Sequence, residues 1–302
     1  VYGWCQPGSG AVIDQWLDGP FLENAMCCYH VYTSCCCGQV SGRPLVVAGE
    51  HTTAPLSEDD ARWCAELGAA ALEGLDAATR ATLAERWVLR ALDEHASIAS
   101  FARATLELLA AGAPPELVDA TQAAARDEIE HARLCFALAS RYRARNVSAG
   151  ALPLGELLPL RRSLADIAEA AAVEGCIGET LAAALAHEEL ARASDPEVRR
   201  VLAILFADET RHAELAWRTV AWAVRAGGEP VRRRVAAAFA SALSAPFPAA
   251  DPEADSALAA HGVLDAGTTR AVHVRTLRAV IGPCARALCA PPASLASLEL
   301  VS

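Results

Sequence analysis

The chain has 302 residues, with 26 basic against 37 acidic side chains and a formal charge of −11. That balance excludes nucleic acid or an anionic membrane as the main partner, since both are held by basic patches. All 26 cations are arginine, so chemistry that needs a lysine amine, such as a Schiff base or a P-loop, is excluded as well.

Residues 1–55 are rich in Gly, Pro, Ser and Cys, lack helical periodicity and are expected to form an irregular leader. Six of the eleven cysteines fall there: Cys5, Cys27, Cys28, Cys35, Cys36 and Cys37. Adjacent cysteines fit poorly with zinc, whose sites use C-x2–4-C spacing, whereas an even set in a loop-rich segment fits disulfides. Disulfides imply an extracytoplasmic home, periplasmic or secreted; reduced thiols in a disordered leader would imply the cytoplasm. With Val1 first and Met26 the sole methionine, the sequence is expected to be a processed or truncated piece. No apolar run is long enough to cross a membrane, and Asn24 to Gly42 is too polar to serve as one.

A short helix is expected from Ser57, which can cap the acidic turn Glu58-Asp59-Asp60. From Ala77 onward the chain reads as long Ala/Leu-rich helices near 77–111, 115–144, 161–192, 196–226, 229–243 and 266–289. The breaks are Gly/Pro-rich, as at Gly112-Ala113-Pro114-Pro115 and Gly227-Gly228-Glu229-Pro230. The expected organisation is a leader (1–55), a four-helix bundle with a short preceding helix (56–226) and a C-terminal helical extension (227–302). The class is all-α.

Each of the four middle helices carries an apolar stripe interrupted at mid-height by carboxylate or imidazole. The interruptions are Glu94 in the first, Glu128 and His131 in the second, Glu174 in the third, and Glu209 and His212 in the fourth. An ionised glutamate on a buried stripe costs several kcal/mol unless it is paired or bound to metal. The pattern is also an internal repeat. A lone Glu is followed 34 or 35 residues later by Glu-x-x-His, and both hairpins turn at a Pro-Glu step, Pro115-Glu116 and Pro196-Glu197. Going up roughly 16 residues and back roughly 14, at ~1.5 Å each, returns the second carboxylate to the height of the first. Two helical hairpins joined by a long crossover (145–160) would therefore gather four carboxylates and two imidazoles, a donor set suited to two iron ions or an Fe/Mn pair.

On these residues the chain resembles the ferritin-like di-iron carboxylate superfamily, across roughly residues 80–226. The resemblance implies terminal ligation by Glu94 and Glu174, bridging by Glu128 and Glu209, and capping by His131 and His212. Asp208-Glu209-Thr210-Arg211-His212 is similar to the Asp-Glu-x-Arg-His motif of bacterial multicomponent monooxygenase hydroxylases. The first copy, Asp127 to His131, carries Glu130 where that motif has Arg. The text around Glu-His-Ala-Ser-Ile-Ala-Ser-Phe and Glu-Gly-Cys-Ile-Gly-Glu-Thr also resembles ferritin-like domain proteins of high-GC bacteria. The same likeness implies a supporting layer in which Asp127 reaches His212, Asp208 reaches His131, and Arg211 pairs an aspartate.

Glu179 is the competing ligand on the third helix. It stands about 140° from Glu174 on an ideal α-helix and opposite Ala99 in the repeat, which favours Glu174. Cys135 reads as core and His95 as a surface or supporting group. His187, Glu188 and Glu214 read as solvated. The expected activity is oxidation or hydroxylation of a small organic molecule by dioxygen, with an external electron donor, because no flavin or Rossmann motif occurs. The alternatives are a ferroxidase or iron-handling protein, and a non-enzymatic metal-binding protein.

Overall fold

The computed structural model describes residues 42–47, 49–68, 74–155, 158–245 and 256–290, together with the backbone of strands β1 (Tyr2–Trp4), β2 (Gln15–Glu23) and β3 (Met26–Tyr32). The chain divides into two units, Val1–Val40 and Ser41–Ser302. In the first, β3 lies between β1 and β2 and runs antiparallel to both, with Tyr2 opposite Val31 and Leu22 opposite Cys27. This pairing was not legible as period-two alternation in so Cys-rich a segment. The side chains of the six leader cysteines lie outside the described residues, and so does their pairing.

The second unit is helical. α1 (Ala77–Ala110) starts at Asp76, whose carboxylate accepts from the Ala78 and Thr79 amides at 2.9 Å each, a cap worth ~1 kcal/mol. It ends at Gly112, whose φ of +69° suits glycine. α2 (Pro115–Arg143) begins with proline at its first position, where the missing N–H costs nothing. The crossover leads to α3 (Leu164–Ala170), capped by Ser163. α3 continues without a break through a π-helical stretch, Ala171–Glu179, into α4 (Thr180–Arg192). α5 (Pro196–Ser244) is capped by Asp195 and bends at Gly228, whose φ/ψ of 63°/−146° is open only to glycine, two residues before Pro230. α6 (Ser256–Ala260), α7 (Ala266–Thr276), a second π-helical turn (Leu277–Ile281) and α8 (Gly282–Cys289) complete the extension. α1 packs on α2, and the α3–α4 helix packs on α5, giving the two expected hairpins.

The expected helix after Ser57 does not form among the described residues. Leu56–Glu58 is instead a strand, β6, paired antiparallel with β7 (Val147–Ala149) of the crossover. Two short strands before it, β4 (Val46–Val47) and β5 (Glu50–His51), pair with each other. The acidic turn is spent on ion pairs rather than on a helix dipole. Arg145 bonds Asp59 twice at 2.6 Å, and Arg143 bonds Glu58 at 2.7 Å.

Residues 42–46 belong to the helical unit rather than to the leader. The Ser97 hydroxyl donates to the Arg43 carbonyl at 2.8 Å, and Arg103 Nη1 donates to the Val46 carbonyl at 2.8 Å. One buried cluster centres on Trp87, Phe136 and Leu202, and another contains Phe101, Leu117, Ala124 and Leu215. On α2 and α5 the Glu-x-x-His pairs fall between these two clusters.

Candidate metal centre

Six side chains converge at mid-height: Glu94 from α1, Glu128 and His131 from α2, Glu179 from the π-helical stretch, and Glu209 and His212 from α5. One donor atom from each of Glu94, Glu128, His131 and Glu209 fits within 4.8 Å of the others, and so does one from each of Glu179, Glu209 and His212. Glu209 belongs to both groups. Glu128 also faces both imidazoles, at 3.7 Å from His131 Nδ1 and 3.1 Å from His212 Nδ1. Glu209 does the same at 3.6 and 3.8 Å. Glu94 lies 3.7 Å from His131 Nδ1. The layout is thus two overlapping donor groups with Glu128 and Glu209 in shared positions.

Glu174 is not among them. Its Oε1 accepts from Arg103 Nη2 at 3.2 Å and from Arg161 Nη2, while Oε2 lies 3.8 Å from Arg43 Nε. Glu179 takes the place expected of Glu174, and the physical reason is the π-helical stretch. A π turn closes i→i+5 and holds about one residue more than an α turn. Five residues therefore span little more than one turn rather than leaving a 140° offset, and Glu174 and Glu179 come to share a face, one turn apart. Two glycines permit the close contacts there. A Cβ on Gly178 would meet the Gly42 carbonyl at 2.4 Å, and one on Gly175 would meet the Ala216 Cβ at 2.5 Å. The Gly42 amide donates to the Gly178 carbonyl at 3.3 Å, which sets Gly42 beside Glu179.

Behind the imidazoles lies a polar layer. His131 Nε2 is 3.1 Å from Asp208 and His212 Nε2 is 3.2 Å from Asp127, so each aspartate serves the histidine of the other hairpin. Arg211 joins the two aspartates, at 3.1 Å from Asp127 and 2.6 Å from Asp208. With Nε2 anchored outward, each Nδ1 faces the carboxylates, the orientation a metal-bound imidazole takes.

The inward atoms are the test of fit. Glu128 Oε2, Glu209 Oε2, both Glu179 oxygens and both Nδ1 atoms are buried and make no hydrogen bond. Buried polar atoms without partners are rare, and each costs ~1–3 kcal/mol. Six of them converging on one point fit cations that are bound by O and N donors. The electrostatics agree. Burial, with Glu128 nearby, pushes the Glu94 carboxyl up to about 7. Burial among Glu128 and Glu94 pushes Glu179 up to about 8. Burial and the neighbouring glutamates raise Glu209 as well. Glu128 goes the other way: burial opposes its charge, but His131 and His212 beside it hold its carboxyl low. His212 loses to burial but gains more from Asp127 and Glu128, reaching about 9. A protein without metal holds protons where cations would sit.

The residues read as bystanders are elsewhere. Cys135 is fully buried in the core cluster around Trp87. His95 meets the Trp63 ring edge-on at 4.6 Å, and Glu188 binds Arg192 and Arg275 at the surface. No helix among the described residues is long and apolar enough to cross a membrane.

No protein-family model matches the chain, and no curated protein matches it. Among solved structures, one titled "Protein 19 with aldehyde deformylating oxidase activity from Synechococcus" is 20% identical. It covers 71% of this chain and 98% of its own, with a TM-score of 0.45.

Proposed function

We propose that the chain binds two iron ions, or an iron and a manganese, between its hairpins and uses them to oxidise or hydroxylate a small organic molecule with dioxygen, drawing electrons from an external donor. The observation that carries this reading is the set of six convergent donors, five of which (Glu128, His131, Glu179, Glu209 and His212) bring buried inward atoms without a hydrogen bond to one place. Four carboxylates offset the charge of two divalent cations, and a set of hard oxygens and imidazoles without thiolate suits iron and manganese. Such a pair, when bound, supplies redox equivalents and open coordination positions.

The protein's own part is to position and to insulate. Glu128 and Glu209 stand where each can touch both cations, and Glu94 and Glu179 stand at opposite ends. Asp127 and Asp208 hold the imidazole protons on Nε2, which leaves the Nδ1 lone pairs facing inward. His131 is fully buried and Glu128, Glu179, Glu209 and His212 are 1–3% exposed, so bulk water is kept from the centre. Cation binding must displace protons from Glu94, Glu179 and His212.

Metal analysis tests the reading. Two transition-metal ions per chain are expected after anaerobic loading with iron(II), followed by oxygen uptake on exposure to air. Glu179→Ala should lose metal, whereas Glu174→Gln should retain both ions. One ion per chain at saturation, or no uptake of oxygen by the loaded protein, would overturn it. Loading far beyond two ions would move the protein to iron storage.

A further inference from the structure

The two donor groups of the metal centre are unequal. The group at Glu94 brings Glu94, Glu128, His131 and Glu209 within 4.8 Å of one another, whereas the group at Glu179 holds only Glu179, Glu209 and His212. Glu94 also has a neighbour outside the set. One helical turn before it on α1, Arg90 Nε stands 3.9 Å from Glu94 Oε1, an ion pair without a hydrogen bond. The other oxygen, Oε2, lies 3.7 Å from His131 Nδ1 and so faces the centre. Glu179 is held by nothing comparable. Neither of its oxygens is hydrogen-bonded, it makes no ion pair among the described residues, and Arg43 beside it pairs with Glu174.

Arg90 is itself fixed from the other hairpin. Its Nη2 donates to Glu189 Oε2 of α4 at 2.8 Å, and its guanidinium lies 5.4 Å from the centre of the Trp87 ring. The side chains of Arg90, Glu94 and Glu189 are 18%, 12% and 11% exposed, so little water screens them. An arginine against a metal ligand acts in two opposite ways. It orders the ligand, which lowers the entropy lost when a cation binds, and its charge repels that cation. Glu189, bonded to the guanidinium, offsets the repulsion and leaves the ordering. Partners of this kind behind metal ligands are worth ~10- to 100-fold in metal affinity.

We infer that Arg90, held by Glu189, is a positioning residue for Glu94 and makes the Glu94 end of the centre the tighter cation position. Arg90 steadies Oε1 and leaves Oε2 aimed inward, whereas Glu179 must be ordered by the cation it receives. The inference rests on the metal reading above, but it needs only the Glu94 position to be filled.

The test titrates manganese(II) into the full chain, freed of metal beforehand, and reads the free ion by electron paramagnetic resonance. Glu179→Ala reports the Glu94 position alone, and Glu94→Ala reports the Glu179 position alone. The first should bind its ion more tightly than the second. Adding Arg90→Gln should weaken binding ~10- to 100-fold in Glu179→Ala and leave Glu94→Ala unchanged. Glu189→Gln uncovers the arginine's charge and should weaken the Glu94 position too. Thermal melts in chelator establish that each variant is folded. If Arg90→Gln is not, because Glu189 is left buried and unpaired, the double variant Arg90→Gln/Glu189→Gln removes both charges, keeps the shape and carries the same expectation. Equal losses in both backgrounds, the mark of an ion pair that only ties α1 to α4, overturn the inference, and so does unchanged or tighter binding in Arg90→Gln. A parent chain that binds one manganese(II), weakened by Arg90→Gln and kept in Glu179→Ala, would sink the two-metal reading and leave Arg90 in its role. Two ions indifferent to Arg90 would do the reverse, and no binding by the parent would overturn both.

Discussion

Glu179 gives the sharpest test of whether the six donors are a metal site, because in the metal-free protein it is a liability. It is 1% exposed, with neither oxygen hydrogen-bonded. Burial and the charges of Glu128 and Glu94 lift its carboxyl from an ordinary 4.5 to about 8. The folded chain therefore holds a proton that the unfolded chain releases from pH 4.5 upward. A raised folded value means that stability is fully present below pH 4.5 and is lost as pH climbs toward 8. At pH 7 the loss spans two and a half pH units, which at 1.36 kcal/mol each is ~3 kcal/mol. Glu179→Gln keeps the shape and removes the titration. The chelated variant should match the chelated parent near pH 4.5 and exceed it by up to ~3 kcal/mol at pH 7, or roughly 5–10 °C in melting temperature. With iron(II) or manganese(II) present the order should reverse, since the amide is the poorer ligand. The assay is a set of thermal and urea melts at pH 5, 7 and 8, with and without metal. Parallel pH profiles for variant and parent in chelator would refute the reasoning.

The remaining predictions concern the supports of the site and the leader. Asp127→Asn and Asp208→Asn should each lower metal affinity ~10- to 100-fold by weakening the acceptor behind His212 or His131, read by competition with a chromophoric chelator; unchanged affinity in both would make these aspartates bystanders. Gly178→Ala puts a methyl 2.4 Å from the Gly42 carbonyl and should destabilise the chain by ~1–3 kcal/mol, seen in urea melts. The six leader cysteines should be oxidised if the protein works outside the cytoplasm. Thiol counting on the denatured, non-reduced chain checks this, and six free thiols in residues 1–40 would point to the cytoplasm.

Much of the bundle could be read before any coordinates because its signals are local. Proline at the first position of α2 and of α5, and glycines near the breaks, marked the ends of those helices to within a residue or two, whereas the third helix, expected from 161, starts at Leu164. Glu-x-x-His places two donors on one face whatever the rest of the fold does, and both pairs, with Glu94, converge. Strands β6 and β7 were hidden because a three-residue pairing across some 90 positions leaves no periodicity. The turn after Ser57 looked like a helix start because its acids have the composition of one. Their partners are Arg143, the last residue of α2, and Arg145, two residues beyond it.

Glu174 and Glu179 show where such reading stops. The stripe Leu164, Ile167, Ala171, Glu174 is a correct α-helical face up to the point where the helix changes its pitch, and counting at 100° per residue carries the error forward. The cause is tertiary. Gly42 and Arg43 lie against this helix, and the Gly42 carbonyl stands where a Cβ on residue 178 would be. The only sequence trace of that contact is the pair Gly175 and Gly178 inside a helix, where each costs ~1 kcal/mol relative to alanine. In a chain this rich in alanine, two glycines three residues apart on an otherwise helical run mark a place where a neighbour comes too close for a Cβ. The widened turn that follows from it does two things at once. It swings Glu179 in among the five other donors, and it leaves Glu174 one turn away, paired with Arg103 and Arg161. One departure from ideal helix geometry thereby sets both the donor set and the ion pairs of the cluster beside it.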